Sequence, residues 1–323
     1  MSIIFAIASK EFRDAWRDKL ILLLIGSLGL LVVLSIVTDT QHLGIDVAKY
    51  QAAVQQIKQS GQVSTLTPPS FAPLHLLRSS IEYFEIIGAV LAIVIGYASI
   101  ARERANNTLP LLLSRGITGR TFALGKLLGN VLLIGLIVLS FLLFAVIAIG
   151  VIGNLWLSSP ELIKLGLAGL YSVLYLTIFF AISALLSSRI RHPVNALVVA
   201  LILWVGFVLV LPQIGDTMDV DNQVPGGFFA SLNLPKDAEK QVLTHFTAYE
   251  NFRNGTEVAS PTKHYERASF AFLGIKQIYE GKTLAEVWHD KWPNVVVLGS
   301  IAILSAAGFV ISMQRINASK GGI

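Results

Sequence analysis

Hydrophobic residues are gathered into six long blocks, at residues 20–37, 81–100, 127–152, 163–186, 194–212 and 293–312. Each is near the length of about 20 residues that an α-helix needs to cross the hydrocarbon core of a bilayer. The stretches between them are polar or broken by Gly and Pro, so the pattern predicts an all-α membrane protein with six spans. Ahead of the first block the pattern changes. Over residues 1–19, Phe5, Ala8, Phe12 and Ala15/Trp16 share one side of a helix, and Lys10, Arg13, Asp14 and Arg17 take the other. That is the pattern of a helix lying in the membrane interface.

Two connecting segments are long. Residues 38–80 are polar, with a helix expected over 46–58 and a break at Thr67-Pro68-Pro69-Ser70. Residues 213–292 are long enough to form a helical cap. One helix is expected over 235–252, with Val242, Phe246 and Tyr249 on one face and a stop at Asn254-Gly255. A second is expected over 261–280, ending at Gly281. Thr283-Leu284-Ala285-Glu286 has the form of a capping box for a third, and Trp288 and Trp292 then lead into the last span at interfacial depth. In the third block, Gly125 and Gly129 permit a close helix contact.

Composition agrees with the pattern: 54% of the 323 residues are hydrophobic and 14% are charged, where soluble domains carry about 25%. There is no cysteine, which excludes disulfides, thiolate metal sites and cysteine nucleophiles. Residues 1–19 lack the cleavage pattern of a signal peptide. The net charge of +5 becomes informative once it is divided by membrane side. Residues 1–19, 101–126, 188–193 and 313–323 hold thirteen Lys and Arg, against four in the short opposite segments 38–80 and 153–164. The excess of cations on cytoplasmic loops therefore puts both termini and the 101–126 loop in the cytoplasm of a plasma-membrane protein. No nucleic-acid partner is expected from basic residues distributed in this way.

The 101–126 loop is the most basic stretch, with Arg102, Arg104, Arg115, Arg120 and Lys126. Inside it, Asn107 or Thr108 can cap a short helix that has Pro110 in its first turn. Leu109, Leu112 and Leu113 then share a face that a partner protein can cover.

Enzymatic chemistry is hard to find. Gly125-Lys126 and Gly281-Lys282-Thr283 both lack the earlier glycine of a nucleotide-binding loop, since Arg120 and Lys276 stand there. The six histidines form no i, i+4 pair and no mixed ligand cluster, so no metal is expected. No span carries a catalytic cluster. The acidic pair Glu82 and Glu85 opens the second span. It reads either as two carboxylates reaching water or headgroups, or as part of a substrate vestibule. Asn254-Gly255-Thr256 matches a glycosylation acceptor by motif alone.

With these residues in view, the chain resembles the permease subunits of the ABC-2 family, the membrane half of ATP-binding-cassette exporters. The likeness runs over nearly the whole length. It rests on an elbow helix carrying Lys10-Glu11-Phe12-Arg13, on the six spans, and on the loop after the second span, with Glu103, Thr108-Leu109, Leu111-Leu112-Leu113-Ser114-Arg115 and Leu124-Gly125-Lys126. Gly116 stands where a proline is common in the family, and Asn106-Asn107 where a glycine is usual. The resemblance implies a non-catalytic subunit working as a dimer with a second permease copy or a homologue. ATP and Mg would be bound by a separate ABC ATP-binding subunit. It also implies that Glu103, Arg104, Leu109, Leu112, Leu113 and Arg115 couple to that subunit, and that export is the direction. The alternative carried by the large 213–292 segment is an ATP-driven transmitter acting on an extracytoplasmic protein, with nothing translocated.

Overall fold

The computed structural model describes residues 3–59, 72–106, 116–219, 228–232 and 236–318, and all regular structure among them is helical. Six helices are long and apolar enough to cross a membrane. After the elbow helix α1 (Ile3–Ala15) come α2 (Lys19–Gln59), α3 (Pro73–Ala105), α4 (Gly119–Ile152), α5 (Ser159–Arg189) and α6 (Pro193–Met218). Among the described residues a four-residue helical turn at Phe228–Ser231 follows, then α7 (Lys236–Thr244), α8 (Thr247–Val258) and α9 (Pro261–Phe272), and then the last span, α10 (Leu284–Ala318).

The centre of the bundle is α3 against α5. Gly96 lets them approach so closely that a Cβ there would lie 2.4 Å from the Phe180 carbonyl oxygen. At the same crossing the Ser183 hydroxyl donates to the Ile93 carbonyl at 2.7 Å. Helices α2, α6 and α10 stand outside and expose rows of large apolar residues such as Leu23, Leu30, Ile202 and Leu304, the faces a bilayer would cover.

Several boundaries differ from the sequence pattern. The helix of the first span does not stop at residue 37 but continues to Gln59 as one 41-residue helix. Residues 38–58 contain no proline, and their polar side chains find partners. Thr40 donates to the Ile36 carbonyl at 2.7 Å and Ser79 of α3 donates to Asp39 at 3.3 Å. The break expected at 67–70 lies outside the described residues. The second span starts earlier, with a 3₁₀ turn at Pro73–Leu77, and is interrupted by a π turn at Phe84–Gly88; α6 carries another at Val205–Val210.

Between the fifth and sixth spans, the helix expected over 235–252 is split at His245 and Phe246, and its second part runs through Asn254-Gly255 to Val258. Asn254 does not stop it because both terminal nitrogens of Arg267 donate to its side-chain oxygen at 3.1 Å, fixing this turn on α9. The helix expected over 261–280 ends at Phe272. Gly274, at φ +69°, takes the left-handed position, and the amides of Gly274 and Ile275 return to the carbonyls of Ala271 and Phe270. This is a Schellman stop. The capping box is present, with Thr283 N and Oγ1 both donating to Glu286 at 2.8 and 2.6 Å.

Candidate functional site at the elbow and the 101–126 loop

Helix α1 lies against α4 through two glycines. A Cβ on Gly125 would sit 2.8 Å from the Ile7 Cβ, and one on Gly129 would sit 2.7 Å from the Ala8 Cα. The buried stripe of α1 is therefore Ile7, Ala8, Glu11 and Ala15. This corrects the lipid-facing side read from the sequence. Ala8 and Ala15 pack under protein, and Phe5 and Trp16 stay exposed. Phe12 is half-buried, packs on the core and meets Trp16 edge-to-face at 6.2 Å, while Arg13 is exposed.

The stripe places a carboxylate inside the protein. Glu11 is 1% exposed and meets Lys126 of α4, which is 0% exposed. Lys126 Nζ donates to Glu11, to the Ser99 carbonyl at 2.8 Å and to Glu103 at 3.2 Å, so its three protons have three acceptors. The other Glu11 oxygen accepts from Ser99 Oγ at 2.8 Å and from Asn130 Nδ2 at 3.1 Å. Glu103, 3% exposed, also accepts from Lys10 at the open edge of the elbow. Ser99 and Glu103 lie one turn apart on α3, and Lys126 and Asn130 one turn apart on α4. The Lys126 ammonium also lies 5.0 Å from the centre of the Phe122 ring. Two carboxylates and two ammoniums thus form a neutral chain through three helices. Burying such charges costs several kcal/mol per ion unless each is paired, and here each is.

This chain of charges lies immediately behind the basic loop. Glu103 is in the last turn of α3, and Lys126 is two turns into α4. On re-entry, Gly116 has φ +79°, a left-handed conformation that suits glycine. Thr118 then caps α4 by accepting from the Thr121 amide at 3.2 Å. Neighbouring arginines are also engaged. Arg102 donates to the Asp14 carbonyl at 3.1 Å and to Asp18 at 3.4 Å, binding α3 to the α1–α2 turn. Arg104 donates to the carbonyls of Ile190 and Ser188, both at 2.6 Å, at the C-terminal end of α5, where a cation is favoured.

Of the sequence-predicted coupling residues, then, Glu103 faces inward to the elbow and Arg104 holds the end of α5. Leu109, Leu112, Leu113 and Arg115 lie outside the described residues. The elbow residues Lys10 and Glu11 join Glu103, and sequence reasoning missed Ser99, Lys126 and Asn130 as their partners. The signal was there in Lys126 and Asn130, polar residues spaced i, i+4 among the apolar residues of a span.

Glu82 and Glu85 sit at the other end of α3. Glu82 pairs with Arg78 at 3.4 Å. Glu85 lies in the first positions of the π turn, and its backbone carbonyl accepts from the Tyr175 hydroxyl at 2.9 Å. Nearby, Lys263 of α9 contacts Glu266 at 2.9 Å and Asp216 at 3.2 Å. Burial alone would lower the Lys263 pKa, but these carboxylates outweigh it and hold the pKa above the ordinary lysine value. Ser260, the cap of α9, donates to the Phe207 carbonyl in the second π turn. The second π turn is thus bound to the segment between the fifth and sixth spans, and the first to Tyr175 of α5, whose hydroxyl also lies 3.2 Å from Thr262 Oγ1 of α9.

Compared with known proteins, residues 5–315 match the family model described as ABC-2 family transporter protein. A comparison with curated proteins finds no match.

Proposed function

Because the chain belongs to the ABC-2 transporter family and is a multi-pass component of membrane transport, we propose that it is the permease subunit on which a separate ATP-binding subunit acts. Its 101–126 loop is the point of contact. Residues Leu109, Leu112 and Leu113 dock the partner, and Arg115 orients it. The work of ATP hydrolysis, with ATP and Mg held by the partner, then moves the spans to export a substrate. A second permease copy completes the transporter, and both termini and the loop face the cytoplasm. Glu82 and Glu85 stand at the opposite mouth, where they would meet the substrate.

The observation that carries this reading is the ion-pair chain Lys10–Glu103–Lys126–Glu11, buried except at Lys10. It ties the two helices that bear the loop to each other and to the elbow. A push on the loop therefore reaches three elements together, because separating any one of them would strand a buried charge. Glu103 and Arg104 act in this scheme from behind the loop, as the positioning residues that hold its base.

Docking energy comes from the leucines. Burying one is worth about 1.5–3 kcal/mol, so two supply several kcal/mol, less the cost of ordering the contact. An exposed ion pair through Arg115 adds about 0–1 kcal/mol. Changing Leu109 and Leu112 together to Ser is expected to lose the co-purifying ATP-binding subunit and its substrate-stimulated hydrolysis, with Arg115→Ala much milder. If the double variant keeps both, the loop is not the coupling element.

A further inference from the structure

Between α2 and α4, on the side away from α3, runs an open cleft of about 330 Å³. Its walls are Ile25, Gly26, Gly29 and Val33 on α2 with Ile137 and Phe141 among those on α4, and Trp16 closes the end at the elbow. The cleft is open at Gly26, where a Cβ would meet nothing within 4 Å, whereas one on Gly29 would lie 3.2 Å from the Phe141 ring. The hydroxyl of Ser140, a polar group on its wall, is already given to the Leu136 carbonyl at 2.8 Å. The cleft therefore offers an occupant mainly apolar contact.

We propose that this cleft holds an acyl chain of an anionic phospholipid from the leaflet in which the elbow lies. Three observations choose that occupant. First, the cleft is continuous with the face the bilayer covers, since Leu23, Leu30, Leu136, Leu139 and Leu143 around it are all exposed. Second, it is short. The lining spans about 12 Å of each helix, a stretch that a segment of one hydrocarbon chain covers. Third, the closed end has the right charge. Arg13, Arg17 and Lys19, all exposed, flank Trp16 in the sequence, with Asp14 and Asp18 half-buried between them and Asp18 already paired with Arg102, so the exposed charge of this stretch is cationic, where an indole and cations meet headgroups. The lipid would lie along the elbow and the first span, beside the buried charges without touching them.

The test is lipid retention by the full-length chain, purified in detergent, stripped of loose lipid, and offered phosphatidylglycerol or phosphatidylcholine before native mass spectrometry. One phosphatidylglycerol per chain is expected, with at least severalfold preference over phosphatidylcholine. Gly26→Leu fills the cleft from an unobstructed helix position and is expected to lower that retention about tenfold. Gly166→Leu, also in open space on α5, is expected to leave it unchanged. Equal retention by G26L and G166L overturns the site, and equal retention of the two lipids overturns the anionic assignment. Since the chain has no cysteine, Ser140→Cys supplies a further check. Efficient cross-linking of two copies through that cysteine in membranes would show that a second chain covers the cleft, and would equally overturn the proposal.

Discussion

Lys126 is a cation placed where hydrocarbon would otherwise be, and its surroundings explain how it is tolerated. Three acceptors receive its three protons, and two of them are carboxylates that need a cation as much as it needs them. Removing one member of such a buried pair costs about 3–5 kcal/mol, because the partner remains charged and dry. Lys126→Met is therefore expected to lower the melting temperature of the purified protein strongly. Adding Glu11→Gln to it should recover part of the loss, because the stranded charge is gone. The double-mutant cycle should give a coupling of at least about 1 kcal/mol, the range for residues in one ion-pair network. Additive losses would mean that Lys126 and Glu11 do not act as a pair. Arg104 differs in kind. It meets backbone carbonyls at the end of α5 instead of a carboxylate, so its substitution should loosen the α3–α5 junction without leaving an ion unpaired.

At the level of elements, α1 and α4 depend on the absence of two Cβ atoms. At Gly129 the obstruction is the backbone of Ala8, at 2.7 Å from the Cα and 2.8 Å from the carbonyl oxygen, which cannot rotate aside as a side chain can. Gly129→Ala should therefore push the elbow off α4 and lengthen the Glu11–Lys126 contact. The expected result is a lower melting temperature. Gly135→Ala, on the same helix in open space, should raise it slightly, by up to the roughly 1 kcal/mol by which alanine exceeds glycine in helix propensity. A stable G129A protein would show that the elbow is not held by this contact. The Gly125–Gly129 spacing was legible in the sequence as a place of close approach, and so were the six spans, because length and hydropathy alone determine them. The partner of the glycines was not legible. The elbow's charged side seemed to belong to water, and burial of Glu11 makes sense only beside Lys126, 115 positions away. The π turns were hidden for a similar reason. Nothing local marks Phe84–Gly88, where the Glu85 carbonyl accepts from Tyr175 of another span. Gly274 did carry a local signal for the end of α9, whereas the pattern pointed to Gly281, which also has a left-handed φ of +70° but lies after a separate 3₁₀ turn.

For the whole molecule, the contacts divide the chain into two ends. At one end Arg104 meets Ile190 and Ser188, Gly119 lies against the Met313 backbone, and α1 crosses α4. At the other, His75 bonds the Gly274 carbonyl at 2.6 Å and Lys164 bonds the Lys282 carbonyl at 3.0 Å. The elbow, both sides of the basic loop, the α5–α6 turn and the end of α10 therefore share one end. These are the stretches that hold most of the Lys and Arg found in short connections. Cations are retained on the cytoplasmic side, so this end is expected to face the cytoplasm, and α7, α8, α9 and the far half of α2 to face outward. A chain without cysteine allows a direct test. The probes must be exposed positions. Asn106 at the loop, Gln51 on α2 and Thr247 on α8 are all exposed. In intact cells an impermeant maleimide is expected to label Gln51→Cys and Thr247→Cys, and to reach Asn106→Cys only after the membrane is opened. Labelling of Asn106→Cys from outside would invert the molecule. The basic loop would then be out of reach of any ATP-binding subunit, and the proposed coupling would fail with it.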